Sequence, residues 1–178
     1  MSSSISKICT PGISLFFMFV VSLLATAQDF GSAPSLRQLT RDSGYIFAGR
    51  VSAIERVPAA SNPEGATVRI TFQVEQGIRG VRTGHTLVIR EWGGLWEHGE
   101  RYRPGEQVLL FLYRPSKLGL TSPVAGALGR FAVDKGGQIN LRDRIASLGS
   151  DPAEVHLREK TRVSSRDFAR TIRRLVEE

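Results

Sequence analysis

The segment from residue 66 to residue 78 constrains the fold of this chain more than any other part of the sequence. It reads ATVRITFQVEQGI, so that Val68, Ile70, Phe72 and Val74 alternate with polar or smaller residues. A period of two places apolar side chains on one face of an extended chain and polar side chains on the other. The pattern therefore predicts a half-buried β-strand.

The segments on either side continue the β pattern. Strands are predicted for residues 45–57, for 85–92 and for the continuous apolar run QVLLFLY at 107–113, which indicates burial on both faces. Two short strands are predicted between 129 and 141, with a glycine-rich turn at 134–137. Five or six short strands are typical of a small, mostly antiparallel β-barrel of the oligonucleotide/oligosaccharide-binding (OB) type. A β-sandwich, which normally has about seven strands, is the alternative.

Two helices are predicted to flank these strands. A short one covers residues 35–43, in which Leu36 and Leu39 share a face. Near the C-terminus, Ser164 and Asp167 have the spacing of a capping box. The residues that follow form an apolar stripe of Phe168, Ile172, Leu175 and Val176, opposite Arg166, Arg170, Arg173 and Arg174. We expect an amphipathic helix packed on the barrel with its arginines in water; a helix dedicated to an anionic surface is the alternative.

Residues 1–27 have the organisation of a secretory signal peptide. Lys7 is the only charge in this segment, and an apolar run of roughly a dozen residues follows at 13–24. Ala25 and Ala27 supply the small residues that signal peptidase requires. The apolar run is too short to span a bilayer comfortably, so a retained N-terminal anchor is the less favoured alternative.

Cleavage before Gln28 predicts an exported protein, located in the periplasm or outside the cell. The single cysteine of the chain, Cys9, leaves with the signal peptide. The exported part must therefore be stabilised by packing without disulfides, which a domain of this length can achieve. No transmembrane segment is predicted after the cleavage site.

The sequence contains none of the common catalytic motifs. HExxH, GxSxG, a phosphate-binding loop and a Cys–His pair are all absent from it. Glu97, His98 and Glu100 could hold a cation, but three ligands within four loop residues cannot easily surround one ion. Glu91 adds a further carboxylate, without a second cluster. We therefore predict no enzyme activity, no catalytic residues, no cofactor and no metal.

One locus stands out from this background. The glycine-rich stretch from residue 92 to residue 102, together with the residue two positions before it, supplies Arg90, Trp92, Trp96, His98 and Tyr102. Tryptophan offers a large contact area, and loops on a rigid scaffold commonly carry function. These five residues are the predicted ligand-binding residues, for an extracytoplasmic protein or glycan. Alternatively, Trp92 closes the barrel core and Trp96 covers its mouth.

The charge balance bears on nucleic acid as a partner. The chain has 24 Lys and Arg against 17 Asp and Glu, a net charge of +7. OB folds that bind single strands combine a basic groove with aromatic stacking, for which Arg69, Arg79, Arg82 and Arg90 are candidates. The modest charge and the predicted export argue against nucleic acid.

The order of these elements resembles the netrin-like module, an OB-fold family that includes the inhibitory domain of tissue inhibitors of metalloproteinases. The similar runs are FAGRV at 47–51, TFQV at 71–74, IRG at 78–80, LVI at 87–89 and PGEQVLLF at 104–111. Many exported bacterial proteins of unassigned activity have the same features. The resemblance implies a netrin-like OB domain at residues 28–150, followed at 151–178 by a linker and a helix packed on the barrel.

The resemblance does not extend to the inhibitory mechanism of that family. The mature metalloproteinase inhibitors begin with a cysteine whose amine and carbonyl chelate the zinc of the target. Here the predicted mature terminus is Gln28, and no cysteine follows it. The sequence thus favours a non-enzymatic exported binding module. A metalloproteinase-inhibitor-like protein that acts without the N-terminal cysteine is the alternative.

Overall fold

The computed structural model describes residues 33–58, 66–97, 101–142 and 152–177. The predicted signal peptide lies outside these ranges. The described chain is mainly β, and its elements are α1 (Leu36–Asp42), β1 (Tyr45–Val57), β2 (Thr67–Arg79), β3 (Thr86–Trp92), β4 (Gln107–Leu112), β5 (Arg130–Val133), β6 (Gln138–Asn140), α2 (Pro152–Arg158), β7 (Arg162–Ser164) and α3 (Ser165–Glu177). In this part of the chain, no helix has the length and apolar character needed to cross a membrane.

The strands form one antiparallel sheet in the order β3-β2-β1-β4-β5-β6-β7. β1 pairs with β2 from Ile46 to its end and with β4 over residues 45–50. The pairing of β1 with β2 shifts register between Ile46 and Phe47, and at two further places along the strand. Such irregularities bend a strand and increase its local twist.

The sheet is not closed into a barrel. Among the described strands, β3 pairs only with β2, and β7 only with β6. The predicted mainly β, antiparallel fold is confirmed, but the predicted barrel is not. A loop approaches the free edge of β3 instead: the Thr121 N–H donates to the Arg90 carbonyl at 2.8 Å, and the Arg90 guanidinium donates to the Leu118 carbonyl.

One face of the sheet is covered by helices. The helix-side core combines apolar residues of α1, α3 and the strands, among them Leu39, Ile46, Leu109, Phe111, Phe168 and Ile172. The predicted capping box begins α3: the Asp167 N–H donates to Ser164 Oγ at 3.1 Å, and Ser164 Oγ donates to Asp167 Oδ2 at 2.9 Å. Both predicted helices are therefore confirmed, and each is packed against the sheet.

The other face of the sheet curls around a second cluster. This sheet-side core includes Phe47, Phe72, Trp96, Tyr102, Val108 and Leu110. Its rings pack edge to face, with centroid distances of 5.3 Å between Phe47 and Phe72 and 5.6 Å between Phe72 and Tyr102. β4 contributes to both cores, and its last five residues are fully buried, as the continuous apolar run predicts.

The C-terminal segment contributes more than a linker and a helix. It also contains α2 and β7, and β7 pairs with β6 in the sheet. The buried Glu154 of α2 accepts a hydrogen bond at 3.0 Å from the N–H of Arg37 in the first turn of α1. Residues 152–177 are therefore part of the same sheet and core.

Replacing Ile172 with alanine tests whether α3 is part of the cooperative core. We expect the free energy of unfolding to fall by about 3 kcal/mol, because the fully buried side chain would leave a cavity. The exposed Arg174→Ala on the same helix should change it by no more than about 0.5 kcal/mol. Urea unfolding followed by circular dichroism measures both. A loss for Ile172→Ala as small as for Arg174→Ala would contradict the packing described.

Candidate functional site

β3 divides the predicted ligand-binding residues into two groups. Its residues point alternately inward and outward, so Glu91 is buried while Arg90 and Trp92 are exposed. Trp96 and Tyr102, from the loop that follows, are only 3% and 1% exposed. His98 lies outside the described residues. The structure thus brings Arg90 and Trp92 together at the surface and places Trp96 and Tyr102 in the sheet-side core, almost without exposed surface.

The inward group is organised around the carboxylate of Glu91, which has no solvent exposure. Trp96 Nε1 donates to its Oε2 at 3.0 Å, and the Tyr102 hydroxyl donates to its Oε1 at 3.3 Å. Arg101 forms an ion pair with it, with Nε 3.1 Å from Oε2. On the other side of the tyrosine, the Arg130 guanidinium lies 5.2 Å from the ring centroid. Both carboxylate oxygens are therefore occupied by partners from the protein.

Burial dominates the electrostatics of this cluster. It raises the pKa of the Glu91 carboxyl above its ordinary value, and the positive charge of Arg101 opposes the effect only in part. Burial also raises the pKa of the Tyr102 hydroxyl, and the neighbouring Glu91 charge acts in the same direction. Tyr102 consequently stays neutral and can donate its hydrogen bond at any ordinary pH.

The buried role of Glu91 is the feature that sequence reasoning missed. The signal was present, because the alternation that puts Ile89 inside β3 also puts the residue two positions later inside. Grouping Glu91 with Glu97 as nearby carboxylates ignored this alternation. In the structure Glu97 is exposed and Glu91 is enclosed. Among the described residues, no group of three or more His, Cys, Asp or Glu side chains could hold a metal ion.

The outward group forms a small apolar surface with one charge. Val88, Arg90 and Trp92 occupy alternate positions of β3, with neighbours about 7 Å apart along the strand. Val88 is 52% and Trp92 48% exposed, and Leu118, whose carbonyl accepts from Arg90, is 73% exposed. We call these four residues the outer β3 surface.

The position of Arg90 on this surface follows from charge. Arg69 of β2 is directly opposite Arg90 in the ladder, an unfavourable pairing of like charges. Arg69 forms an ion pair with Glu55 of β1 at 3.2 Å, while Arg90 donates to the carbonyl of Leu118. The Arg69 guanidinium is thus paired on the β1 side and the Arg90 guanidinium on the side of Leu118. Arg90 therefore remains on the same strand face as Trp92.

Two glycines determine how Trp92 is presented. The Gly93 N–H donates to the Ala66 carbonyl at 2.7 Å, which ties the loop to the start of β2. A Cβ on Gly94 would lie 2.4 Å from the Trp92 ring, so only glycine allows the indole to lie over this residue. A recess of about 510 Å³ adjoins the ring, between Val57 and Glu97. The sequence run Trp-Gly-Gly therefore encodes a half-exposed aromatic side chain at the edge of a recess.

Alanine substitutions of the two tryptophans test this division. Trp96→Ala should lower the free energy of unfolding by about 3–5 kcal/mol, because it opens a cavity and removes a hydrogen bond to Glu91. Trp92→Ala should cost much less, about 1 kcal/mol, because half of the ring already contacts solvent. Urea unfolding of the two variants gives the comparison. Equal losses of unfolding free energy, or a larger loss for Trp92→Ala, would contradict the placement of Trp96 in the core and Trp92 at the surface.

Glutamine at position 91 tests the electrostatics of the buried acid, because it keeps the shape of the side chain and removes its titration. With its pKa raised in the folded state, Glu91 holds a proton more tightly there than in the unfolded chain, where 4.5 is the ordinary value. The unmodified protein should thus lose stability relative to Glu91→Gln as the pH rises above that value. Unfolding free energies measured between about pH 4 and pH 8 give the difference. The opposite slope would mean that pairing with Arg101 outweighs burial.

Comparison of the chain with models of known protein families gives no match, and comparison with curated proteins gives none either. The resemblance to the netrin-like module stays a prediction. The outer β3 surface is therefore the main structural basis for a functional proposal.

Proposed function

We propose that this protein is an exported, non-enzymatic binding module that recognises an extracytoplasmic protein or glycan through the outer β3 surface. The observation that carries the proposal is the half-exposed indole of Trp92, held over Gly94 beside a recess. The surface corresponds to the outward part of the aromatic loop predicted from the sequence. Trp96 and Tyr102 support it from inside and do not contact the ligand.

The composition of the surface suits recognition. Trp and Arg are the residues most enriched at energetically dominant positions of protein interfaces. Trp92 and Arg90 are adjacent on one strand face, and Val88 and Leu118 extend the apolar area around them. An indole face also packs well against the apolar face of a sugar ring, with a guanidinium nearby to donate to hydroxyl groups.

The rigidity of this surface supports the same proposal. Val88, Arg90 and Trp92 belong to a strand paired along its length with β2. The loop behind them is tied down by the Glu91 carboxylate through Trp96 and Tyr102. A preformed surface loses little conformational entropy on binding. Glu91 itself is fully enclosed, so it positions the loop and does not contact a ligand at the surface.

We also propose that the protein has an OB-like, netrin-like fold and that it is exported. An OB-like, netrin-like organisation is supported by the register shifts along β1 and by the loop that meets the free edge of β3 at Arg90. Export is supported by the composition of residues 1–27. A metalloproteinase-inhibitor-like activity is the alternative function. Without an N-terminal cysteine, such an inhibitor would have to contact its target protease through another exposed part of the protein.

The test uses the chain from Gln28 onward, immobilised to capture proteins and glycans from the extracytoplasmic fraction. The captured molecule is then titrated against the unmodified chain and against Trp92→Ala. We expect the variant to bind at least tenfold more weakly, because it removes the largest exposed contact of the surface. Gly94→Val should also weaken binding, because it displaces the Trp92 ring without removing it.

Val155→Ala is the matched control, because Val155 is an exposed apolar residue of α2 outside the outer β3 surface. It should bind as tightly as the unmodified chain. Unchanged affinity in both Trp92→Ala and Gly94→Val would refute the proposed surface. An assay against zinc endopeptidases distinguishes the alternative, since tight inhibition that persists in Trp92→Ala would favour an inhibitor that uses another edge.

A further inference from the structure

A second polar recess lies between α2 and α3, away from the residues assigned to the outer β3 surface. It has a volume of about 370 Å³. Its lining residues are His156, Lys160, Asp167, Arg170, Thr171 and Arg174. The last four are at positions i, i+3, i+4 and i+7 of α3, so they share one face of that helix. We call this feature the α2–α3 recess.

Positive charge exceeds negative charge in the α2–α3 recess. Its one carboxylate, Asp167, is already engaged: Oδ2 accepts from Ser164 in the capping box, and Oδ1 accepts from Arg170 at 2.9 Å. Across the described part of the chain, neither Lys160 nor Arg174 has an ion-pair partner. Two uncompensated cations therefore face one small concave space.

The recess also has a fixed polar floor. Thr171 is 2% exposed, and its hydroxyl donates to the carbonyl of Asp167 at 3.3 Å. The same oxygen lies 3.1 Å from Nε2 of His156, which holds the imidazole at one wall. Because α3 is anchored in the helix-side core, these groups keep their relative positions. Thr171 and His156 thus form a fixed floor, and the exposed side chains of Lys160 and Arg174 lie at its rim.

We propose that the α2–α3 recess binds an oxyanion group of an acidic glycan. Lys160 and Arg174 supply the charge, and Arg170 adds N–H donors beside them. Sulfate, phosphate and carboxylate groups all offer the oxygen acceptors that these donors match. This inference is independent of the proposed role of Trp92, because the two surfaces share no residue.

The structure favours a glycan over a membrane or a nucleic acid. The apolar stripe of α3 is enclosed in the helix-side core, where Phe168 and Ile172 have no exposure, so the folded helix cannot insert an apolar face into a bilayer. Proteins that bind single-stranded nucleic acids stack the bases on aromatic side chains. Of the described residues that line the recess, none is Trp, Tyr or Phe.

The experiment measures binding of dextran sulfate and of a polyuronate, with neutral dextran as the uncharged probe. We expect saturable binding to at least one acidic polymer and none to neutral dextran. The double variant Lys160→Gln/Arg174→Gln should weaken it about tenfold, since two exposed charge pairs are lost. Comparing the two polymers shows whether a sulfate or a carboxylate is preferred.

Arg166→Gln/Arg173→Gln is the matched control. It removes the same amount of charge, and both residues line the neighbouring groove next to β2, which shares Arg170 with the recess but not Lys160 or Arg174. Its affinity should stay within about twofold of the parent. Equal weakening by both double variants would overturn the proposal in favour of diffuse attraction. So would the absence of saturable binding, or tighter binding to anionic vesicles or single-stranded DNA. Binding of acidic polymers that is lost in Trp92→Ala but kept in Lys160→Gln/Arg174→Gln would belong to the outer β3 surface and would overturn this proposal.

Discussion

The buried carboxylate of Glu91 is the constraint on which the rest of the site depends. An unpartnered charge in the sheet-side core would cost several kcal/mol, so Glu91 needs donors. Its partners Trp96, Arg101 and Tyr102 all come from the segment just after β3. Satisfying the carboxylate therefore requires this segment to fold back across the curved sheet. The same fold buries the acid and the aromatic rings that complete the core.

The same constraint produces the exposed surface. Where Glu91 points inward, the next residue of an extended strand must point outward, and that residue is Trp92. The chain must then turn sharply to bring Trp96 under the strand, and the short 3-10 helix from Gly93 to Trp96 makes this turn. The indole lies over the turn because Gly94 has no side chain. The hydrogen bonds to the buried Glu91 and the exposure of Trp92 thus both follow from the geometry of this one turn.

Much of this fold could be predicted from the sequence, because period-two alternation and capping residues are local signals. β2 and α3 follow such signals closely. What could not be predicted depends on contacts distant in sequence. β7 has three residues and forms only against β6, and closure of the sheet depends on which edges meet. Trp96 is in the core and Trp92 is at the surface because Glu91 points inward. The composition of the loop does not reveal that orientation.

Stability and recognition are assigned to different side chains in this molecule. Trp96 and Tyr102, which donate to Glu91, have almost no exposed surface, and neither do Phe168 and Ile172 of α3. Conversely, Trp92 on β3 and Lys160 and Arg174 at the α2–α3 recess have large exposed fractions and add little to either core. Substitutions at these exposed positions can therefore alter binding while the sheet and its two cores stay intact. Because these side chains lie outside both cores, a change in affinity at either surface reports on contact with the ligand rather than on folding.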